Sequence, residues 1–225
     1  MQAILWVFDL DNTLHDANGY IFPHINRSMT AYLQEHLQLS EADANALRQR
    51  YWRQYGATLS GLMRHHGTNP DHFLYHTHQF PELAKMVLRT PHLRQVLRRL
   101  PGQKVVFSNA PQHYARAVLR LLKVADLFDD VVAVEQTRYR PKPDFAGFRH
   151  VMHQHRVKAR QCVMVEDSLE NLQAAKRLGM RTVWVNAGNR LPACVDVKIS
   201  AIGQLPGVAH RLNLTSRETN DSDFE

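Results

Sequence analysis

The most constraining feature of the sequence is a series of short, continuously apolar runs. The first covers residues 4–10 and brings two acidic residues, Asp9 and Asp11, to its end. Such runs are typical of strands that are buried on both faces of a parallel sheet. Four further runs, rich in valine, cover residues 105–108, 131–134, 162–165 and 182–185. Segments with helical periodicity separate the runs, so the sequence predicts an α/β fold with a doubly wound, mostly parallel sheet.

The connection between the first two runs is much longer than the others. It extends from about residue 14 to residue 103, several times a normal crossover between parallel strands, so we expect an insertion there. Apolar residues recur within it at helical spacings: Leu47, Tyr51, Trp52, Tyr55, Leu59, Leu62 and Met63. Ser40 is a candidate N-cap. We expect a core domain of residues 1–14 and 91–212, interrupted by a small α-helical cap domain of residues 15–90.

The two ends of the chain lead to separate predictions. The first 14 residues contain an apolar run of only a few residues and no basic leader, which fits neither a signal peptide nor a membrane span. We therefore expect a cytoplasmic protein without a membrane partner. Near the other end, Val197–Ile199 predicts a last edge strand, and the polar residues 213–225 are expected to be a disordered tail.

Composition and charge limit the classes of partner. The 225 residues are 44% hydrophobic and 22% charged, which is typical of a globular protein. A net charge of +7 raises the question of nucleic-acid binding, but the basic residues between positions 89 and 104 lack interleaved aromatic residues and suit a solvated helix face. We expect no nucleic-acid polymer as partner, and a positive field would attract a small phosphorylated metabolite instead. Cys162 and Cys194 are expected to be reduced.

Acidic residues follow two of the apolar runs, where ligands bind in open α/β sheets. Asp9 and Asp11 leave the first run two residues apart. At this spacing one carboxylate could attack a phosphate while the other transfers the proton of the leaving group. Glu166 and Asp167 follow the run at 162–165 and offer the hard oxygen ligands that Mg²⁺ prefers. Helix caps or turns are the ordinary alternative for both pairs. A calcium-binding loop is excluded because its required glycine and glutamate are missing.

Three other polar residues are candidates with weaker signals. Ser108 and Asn109 end the second run, where a hydroxyl and an amide could bind phosphate, although simple turn chemistry explains the same pair. Lys142 stands between two prolines that favour extended backbone before them, and its ammonium could neutralise a phosphate or remain solvated. The clustered histidines lack cysteine partners and zinc-ligand spacing, so no zinc site is expected.

Taken in order, Asp9-x-Asp11-x-Thr13, Ser108, Lys142 and Glu166-Asp167 resemble the four motifs of the haloacid dehalogenase superfamily. The resemblance implies that Asp9 is the phosphorylated nucleophile, Asp11 the general acid and base, and Lys142 a stabilising cation. It further implies substrate binding by Thr13, Ser108 and Asn109. Magnesium would be bound by Asp9, the backbone carbonyl of Asp11, and the acidic pair Glu166 and Asp167.

The resemblance also narrows the activity. The dehalogenase branch lacks the second aspartate, which is present here as Asp11, so phosphoryl chemistry is favoured. Many members carry a further acid where this chain has Asn171, which leaves the surroundings of the metal open. The stretch from Tyr55 to Leu62 is similar to the pyrimidine 5′-nucleotidase branch, which implies UMP or CMP as substrate. Whether this stretch contacts substrate, and the oligomeric state, stay open.

Two alternatives remain from other classes of activity. Related caps and the same core motifs serve phosphatases and mutases that act on sugar phosphates. A signalling receiver domain also combines aspartates, a hydroxyl residue and a lysine, but it places the acidic pair first and lacks a long helical insertion. The ordered motifs and the insertion therefore favour a magnesium-dependent phosphatase.

Overall fold

Six parallel strands form one sheet in the computed structural model, which describes residues 4–88 and 90–212. The strands are β1 (Leu5–Phe8), β2 (Gln103–Phe107), β3 (Asp130–Val132), β4 (Cys162–Glu166), β5 (Arg181–Val185) and β6 (Val197–Ile199). Their order in the sheet is β3-β2-β1-β4-β5-β6, so the chain reverses its direction of winding beside β1. This is the predicted doubly wound α/β fold, and its switch point is where such sheets bind ligands.

The sheet is buried on both faces, as its uninterrupted apolar strands require. Side chains alternate across a strand, and in β1 Trp6 and Phe8 join one apolar cluster while Leu5 and Val7 join another on the opposite face. The helices of the second half of the β1–β2 connection and of the rest of the chain are α5 (Leu83–Met86), α6 (Leu93–Arg98), α7 (Gln112–Leu121), α8 (Phe145–Gln154), α9 (Leu169–Arg177) and α10 (Leu205–Arg211). Each continuously apolar strand therefore contributes side chains to two cores, one on each face of the sheet.

Six helices of the described residues lie between β1 and β2, and the first four pack around an apolar cluster of their own. These four are α1 (Ile21–Leu37), α2 (Glu41–Tyr55), α3 (Thr58–His66) and α4 (Pro70–Thr77). Helix α2 begins at the predicted N-cap, where Ser40 Oγ accepts a hydrogen bond from the Asp43 amide at 3.1 Å. Helix α3 packs closely on α2, since a Cβ added at Gly61 would lie 2.2 Å from Tyr51 Cγ. This spacing requires glycine at position 61.

Small differences from the predicted elements have local causes. The predicted strand at 131–134 ends at Val132, because the Ala133 amide turns to the Gln136 side chain at 2.9 Å instead of continuing the ladder. No helix among the described residues is long and apolar enough to cross a membrane. The predicted disordered tail, residues 213–225, lies outside the described residues.

Candidate active site

The carboxyl ends of β1, β2 and β4 bring most of the predicted site residues together. These strands are neighbours in the sheet, and the chain leaves each of them at the same edge. A cavity of about 710 Å³ opens there between the sheet and the helical insertion. Its lining includes seven of the eight predicted residues: Asp9, Asp11, Ser108, Asn109, Lys142, Glu166 and Asp167. Thr13, the eighth, is buried beside them, and its hydroxyl has no hydrogen-bond partner among the described residues.

Lys142 is the centre of the buried charge. Its ammonium donates to Asp9 Oδ1 at 2.7 Å, to Glu166 Oε2 at 2.9 Å and to the Phe107 carbonyl at 2.8 Å. Burial alone would lower the pKa of Lys142, but the charges of Asp9 and Glu166 outweigh burial and raise this pKa. The lysine is therefore a permanent cation between two carboxylates.

Asn109 has a different contact from the one expected of a phosphate ligand. Its side-chain amide donates to the Lys142 carbonyl at 3.1 Å, and its carbonyl oxygen accepts from the Lys142 amide at 2.7 Å. These two bonds tie the end of β2 to the loop that carries Lys142. Asn109 lines the cavity, but in this structure its side chain holds the loop in place.

The carboxylates carry more negative charge than Lys142 can balance. Burial, with the charges of Glu166 and Asp11, raises the pKa of Asp9 to about 7 against the opposing effect of Lys142. Burial also raises the pKa of Glu166 and of Asp167. One oxygen each of Asp9, Glu166 and Asp167 lie within 4.8 Å of one another. Hard oxygen donors with excess negative charge fit a divalent cation such as Mg²⁺.

Glu166 is held by four hydrogen-bond donors. Its Oε1 accepts from the amides of Asp167 at 3.2 Å and Ser168 at 3.1 Å, and its Oε2 accepts from Lys142 and from Asn171 Nδ2 at 3.0 Å. Asn171, whose role the sequence left open, thus orients this carboxylate. Asp9 and Asp167 have fewer such partners and are the more available metal ligands.

Two residues that sequence reasoning missed hold the Asp11 carboxylate. Tyr114 donates its hydroxyl hydrogen to Asp11 Oδ1 at 2.6 Å, and His15 Nε2 lies 2.9 Å from the same oxygen. When Asp11 is ionised its oxygens can only accept, so in that state the Nε2 of His15 carries the proton. His15 stands four positions after Asp11, a spacing that was visible in the sequence. Tyr114 is 103 residues away, and only the fold brings it to this site.

The far wall of the cavity comes from the helical insertion and contains His78, which is 7% exposed. Burial lowers the pKa of His78 to about 4, although the Asp11 charge opposes this effect and His113 and His24 reinforce it. His78 is therefore neutral at pH 7 and cannot act there as a cation.

The low pKa of His78 predicts a loss of stability in acid. Unfolding returns the imidazole to its ordinary pKa near 6.5, so the unfolded chain binds a proton that the folded chain does not between pH 6.5 and 4. We expect His78 alone to reduce the free energy of unfolding by about 2 kcal/mol between pH 7.5 and 5. Urea unfolding of a His78→Gln variant should lack this part of the pH dependence. His153→Gln, at an exposed histidine, should keep it.

Comparison with known proteins agrees with the fold and the motif order. A sequence model of the haloacid dehalogenase-like hydrolases matches residues 5–179. This chain therefore belongs to the haloacid dehalogenase-like hydrolase family.

Two curated relatives cover most of the chain. Phosphate metabolism protein 8 of Saccharomyces cerevisiae is 24% identical over 78% of this chain and 59% of its own length. A phosphoglycolate phosphatase of Pseudomonas putida is 26% identical over 91% of this chain and 79% of its own. The chain thus spans little more than half of the first relative.

Solved structures share the fold at lower identity. A haloacid dehalogenase family phosphatase from Thermococcus onnurineus superposes with a TM-score of 0.62, at 22% identity over 92% of this chain and 97% of its own. An L-2-haloacid dehalogenase from Xanthobacter autotrophicus gives a TM-score of 0.60, at 16% identity over 93% of this chain and 99% of its own. Both phosphatases and dehalogenases have this fold, so the reaction must be argued from the site.

Proposed function

We propose that the protein is a phosphatase that transfers the phosphoryl group of a small phosphate monoester to Asp9 and then to water. The observation that carries this proposal is the buried set of Asp9, Lys142 and Glu166, with Lys142 Nζ within 2.9 Å of both carboxylates, at a cavity that Asp11 also lines. A nucleophile, a fixed cation and a proton donor then lie around one space. These are the parts that phosphoryl transfer needs.

In the first step, a carboxylate oxygen of Asp9 attacks phosphorus and the bond from phosphorus to the ester oxygen breaks. Asp11 enters this step protonated and gives its proton to the departing alcohol. In the second step, Asp11 takes a proton from water, the water oxygen bonds to phosphorus, and the bond to Asp9 breaks. Lys142 stays charged throughout and offsets negative charge next to Asp9. The buried Ser108 hydroxyl, which lines the same cavity, would donate to a phosphoryl oxygen.

Magnesium is part of this proposal because the donor set suits it. Asp9 and Asp167, with Glu166 behind them, would hold the ion, together with the backbone carbonyl of Asp11 that the family resemblance implies. When bound, Mg²⁺ supplies positive charge that keeps Asp9 ionised and offsets the charge of the phosphoryl oxygens.

We further propose that the substrate is a pyrimidine nucleoside 5′-monophosphate, and that residues 15–90 act as a cap that excludes water from the site. A cavity of about 710 Å³ is large enough for a nucleotide, and much of its lining comes from α1, α2 and the start of α3. Tyr139 of the core donates a hydrogen bond to Asp71 of α4 at 2.6 Å, which supports a closed arrangement. Asp11, which a halide leaving group would not need, argues against dehalogenation.

A second candidate is a smaller phosphorylated acid or sugar. The similarity to a phosphoglycolate phosphatase over 91% of this chain favours it. Phosphoglycolate would leave most of the cavity unfilled, so we rank it below a nucleotide.

A substrate panel tests the proposal. Phosphate release from UMP, CMP, AMP, ribose 5-phosphate, glucose 6-phosphate and phosphoglycolate is measured with Mg²⁺ and with EDTA. We expect UMP or CMP to have the highest kcat/KM, and EDTA to abolish release. If phosphoglycolate or a sugar phosphate is preferred, the nucleotide assignment is wrong while the phosphatase assignment stands. Hydrolysis of none of them would contradict both.

The contact between Tyr114 and Asp11 predicts a defect in turnover. Tyr114→Phe removes one of two donors to Asp11 Oδ1 and leaves the ring in place, so we expect kcat to fall about tenfold with little change in KM. Tyr20→Phe, at a half-exposed tyrosine outside the cavity, is the matched control. An unchanged kcat, or a change confined to KM, would remove Tyr114 from the positioning of Asp11.

A further inference from the structure

Trp52 is an exposed aromatic residue on the wall of the cavity. Its side chain belongs to α2, lines the same space as Asp9 and Lys142, and is 63% exposed. No other aromatic ring among the described residues packs against the indole. Exposing so much apolar surface costs free energy, which a flat ligand that covers the ring would recover.

Arg48 lies one helical turn before Trp52 and lines the same cavity. Its Nη1 donates to Asn26 Oδ1 at 2.7 Å and its Nη2 to Asn45 Oδ1 at 3.4 Å, and both of these partners are neutral. Its Nε is buried without a hydrogen-bond partner among the described residues. No carboxylate of the described residues forms an ion pair with the guanidinium. Burial lowers the pKa of Arg48, which means that keeping its guanidinium charged at this position costs free energy.

The surroundings of these two residues suit a planar polar ring. The cavity wall near α1 and α2 offers the amides of Asn26 and Gln49. Arg53, Thr58 and Ser60 add further polar groups. Six apolar side chains line the same cavity: Phe22, Ile25, Met29, Leu59, Phe73 and Leu74. An apolar slot with a few fixed donors and one exposed aromatic face binds a heteroaromatic ring better than a hydroxylated sugar, whose many hydroxyls would lie unpaired against the apolar wall.

We infer that Trp52 and Arg48 form a nucleobase subsite, in which the base stacks on the indole and its carbonyl oxygen accepts a hydrogen bond from the guanidinium. The inference rests on the proposed function, because it takes the phosphate of the same molecule to lie at Asp9. It assigns stacking and hydrogen bonding of the base to α2, and leaves to the stretch from Tyr55 to Leu62 a part in lining the cavity. Trp52 supplies the stacking surface, and Arg48 donates hydrogen bonds to acceptor groups of the base.

Tryptophan fluorescence tests the subsite without turnover. The chain has three tryptophans, of which Trp6 and Trp184 are at most 7% exposed, so Trp52 dominates the solvent-sensitive emission. Uridine carries no phosphate to hydrolyse, and we expect it to quench this emission in a saturable manner, whereas ribose should not. The quench should disappear in Trp52→Phe. No quench in the wild type, or an equal quench in Trp52→Phe, would overturn the inference.

Kinetics provide the second test. The quantity to compare is the ratio of kcat/KM for UMP to kcat/KM for ribose 5-phosphate. Trp52→Leu should lower this ratio about 5- to 150-fold, the range typical of losing the stacking contact of one base. Arg48→Met should lower it about tenfold or more. The matched controls are Tyr75→Leu, an exposed aromatic residue of α4, and Arg50→Met, an exposed arginine of α2 outside this cavity; both should leave the ratio unchanged.

The two tests separate the failure of the subsite from the failure of the proposed function. If the wild type hydrolyses neither compound, the nucleotide proposal fails, and the uridine titration still decides whether the subsite binds a base. If both compounds are hydrolysed but the variants lower both rates equally, Trp52 and Arg48 serve the fold of the insertion and the subsite is wrong.

Discussion

Asp9→Asn is expected to lower the rate of phosphate release by about 10⁴-fold or more. The change exchanges one carboxylate oxygen for an amide nitrogen and removes the nucleophile, while its remaining oxygen can still accept the hydrogen bond from Lys142. The side chain keeps its size, so the buried site should keep its packing. The loss should therefore appear in kcat, with the protein still folded.

A matched substitution separates the chemistry from general effects on charge. Asp16 is exposed and its carboxylate accepts a hydrogen bond from the Asn18 amide at 2.9 Å, a bond that asparagine can replace. Asp16→Asn should retain full activity. Brief reaction with radiolabelled phosphate donor, followed by acid denaturation, should leave label on the wild-type protein and none on Asp9→Asn. Magnesium-dependent release at the wild-type rate by Asp9→Asn would show that Asp9 is not the nucleophile.

The fold could be predicted because its strands are short and apolar on both sides. In β1, Leu5 and Val7 face one core while Trp6 and Phe8 face the other, and such a strand leaves an uninterrupted apolar run in the sequence. The insertion was visible as an excess of chain between β1 and β2. Parallel strands end at one edge of a sheet, so the convergence of Asp9, Ser108 and Glu166 followed from the same pattern.

The contacts within the site could not be predicted in this way. Tyr114 reaches Asp11 only because β1 and β2 are neighbours and α7 begins directly after β2, and nothing near Tyr114 in the sequence marks it. Asn109 remains a predicted phosphate ligand, and the two hydrogen bonds between its side chain and the Lys142 backbone could not be predicted. A bond from a side chain to a backbone 33 residues away depends on the exact course of two loops.

The side-chain orientations in helix α2 could not be predicted from the sequence either. Helical spacing placed Tyr51 and Trp52 together among the residues that predicted a helix, but the structure buries Tyr51 and leaves Trp52 exposed on the cavity. Periodicity identifies a helix more securely than it identifies which of its apolar residues face a ligand. That distinction needs the position of α2 relative to the sheet.

Lys142→Met is expected to have the largest effect on stability. The substitution keeps much of the side-chain length but removes the cation that Asp9 and Glu166 share in a buried site. Breaking a buried ion pair by removing one partner costs about 3–5 kcal/mol, because the remaining charges stay buried without compensation. We expect a loss of this size in the free energy of urea unfolding at pH 7.5 with EDTA, and phosphate release should fall sharply as well.

The pH dependence of this loss distinguishes charge from packing. Lys142 lowers the pKa of both Asp9 and Glu166, so its removal raises both values further and lets the carboxylates take up protons as the pH falls. Neutral carboxyl groups tolerate burial, so the difference between wild type and Lys142→Met should shrink between pH 7.5 and pH 5.5. Lys85→Met breaks an exposed ion pair with Glu82 and should cost less than about 1 kcal/mol at either pH. A deficit in Lys142→Met that is the same at both pH values would mean that the lysine stabilises the site by filling space, and that the carboxylates do not depend on its charge.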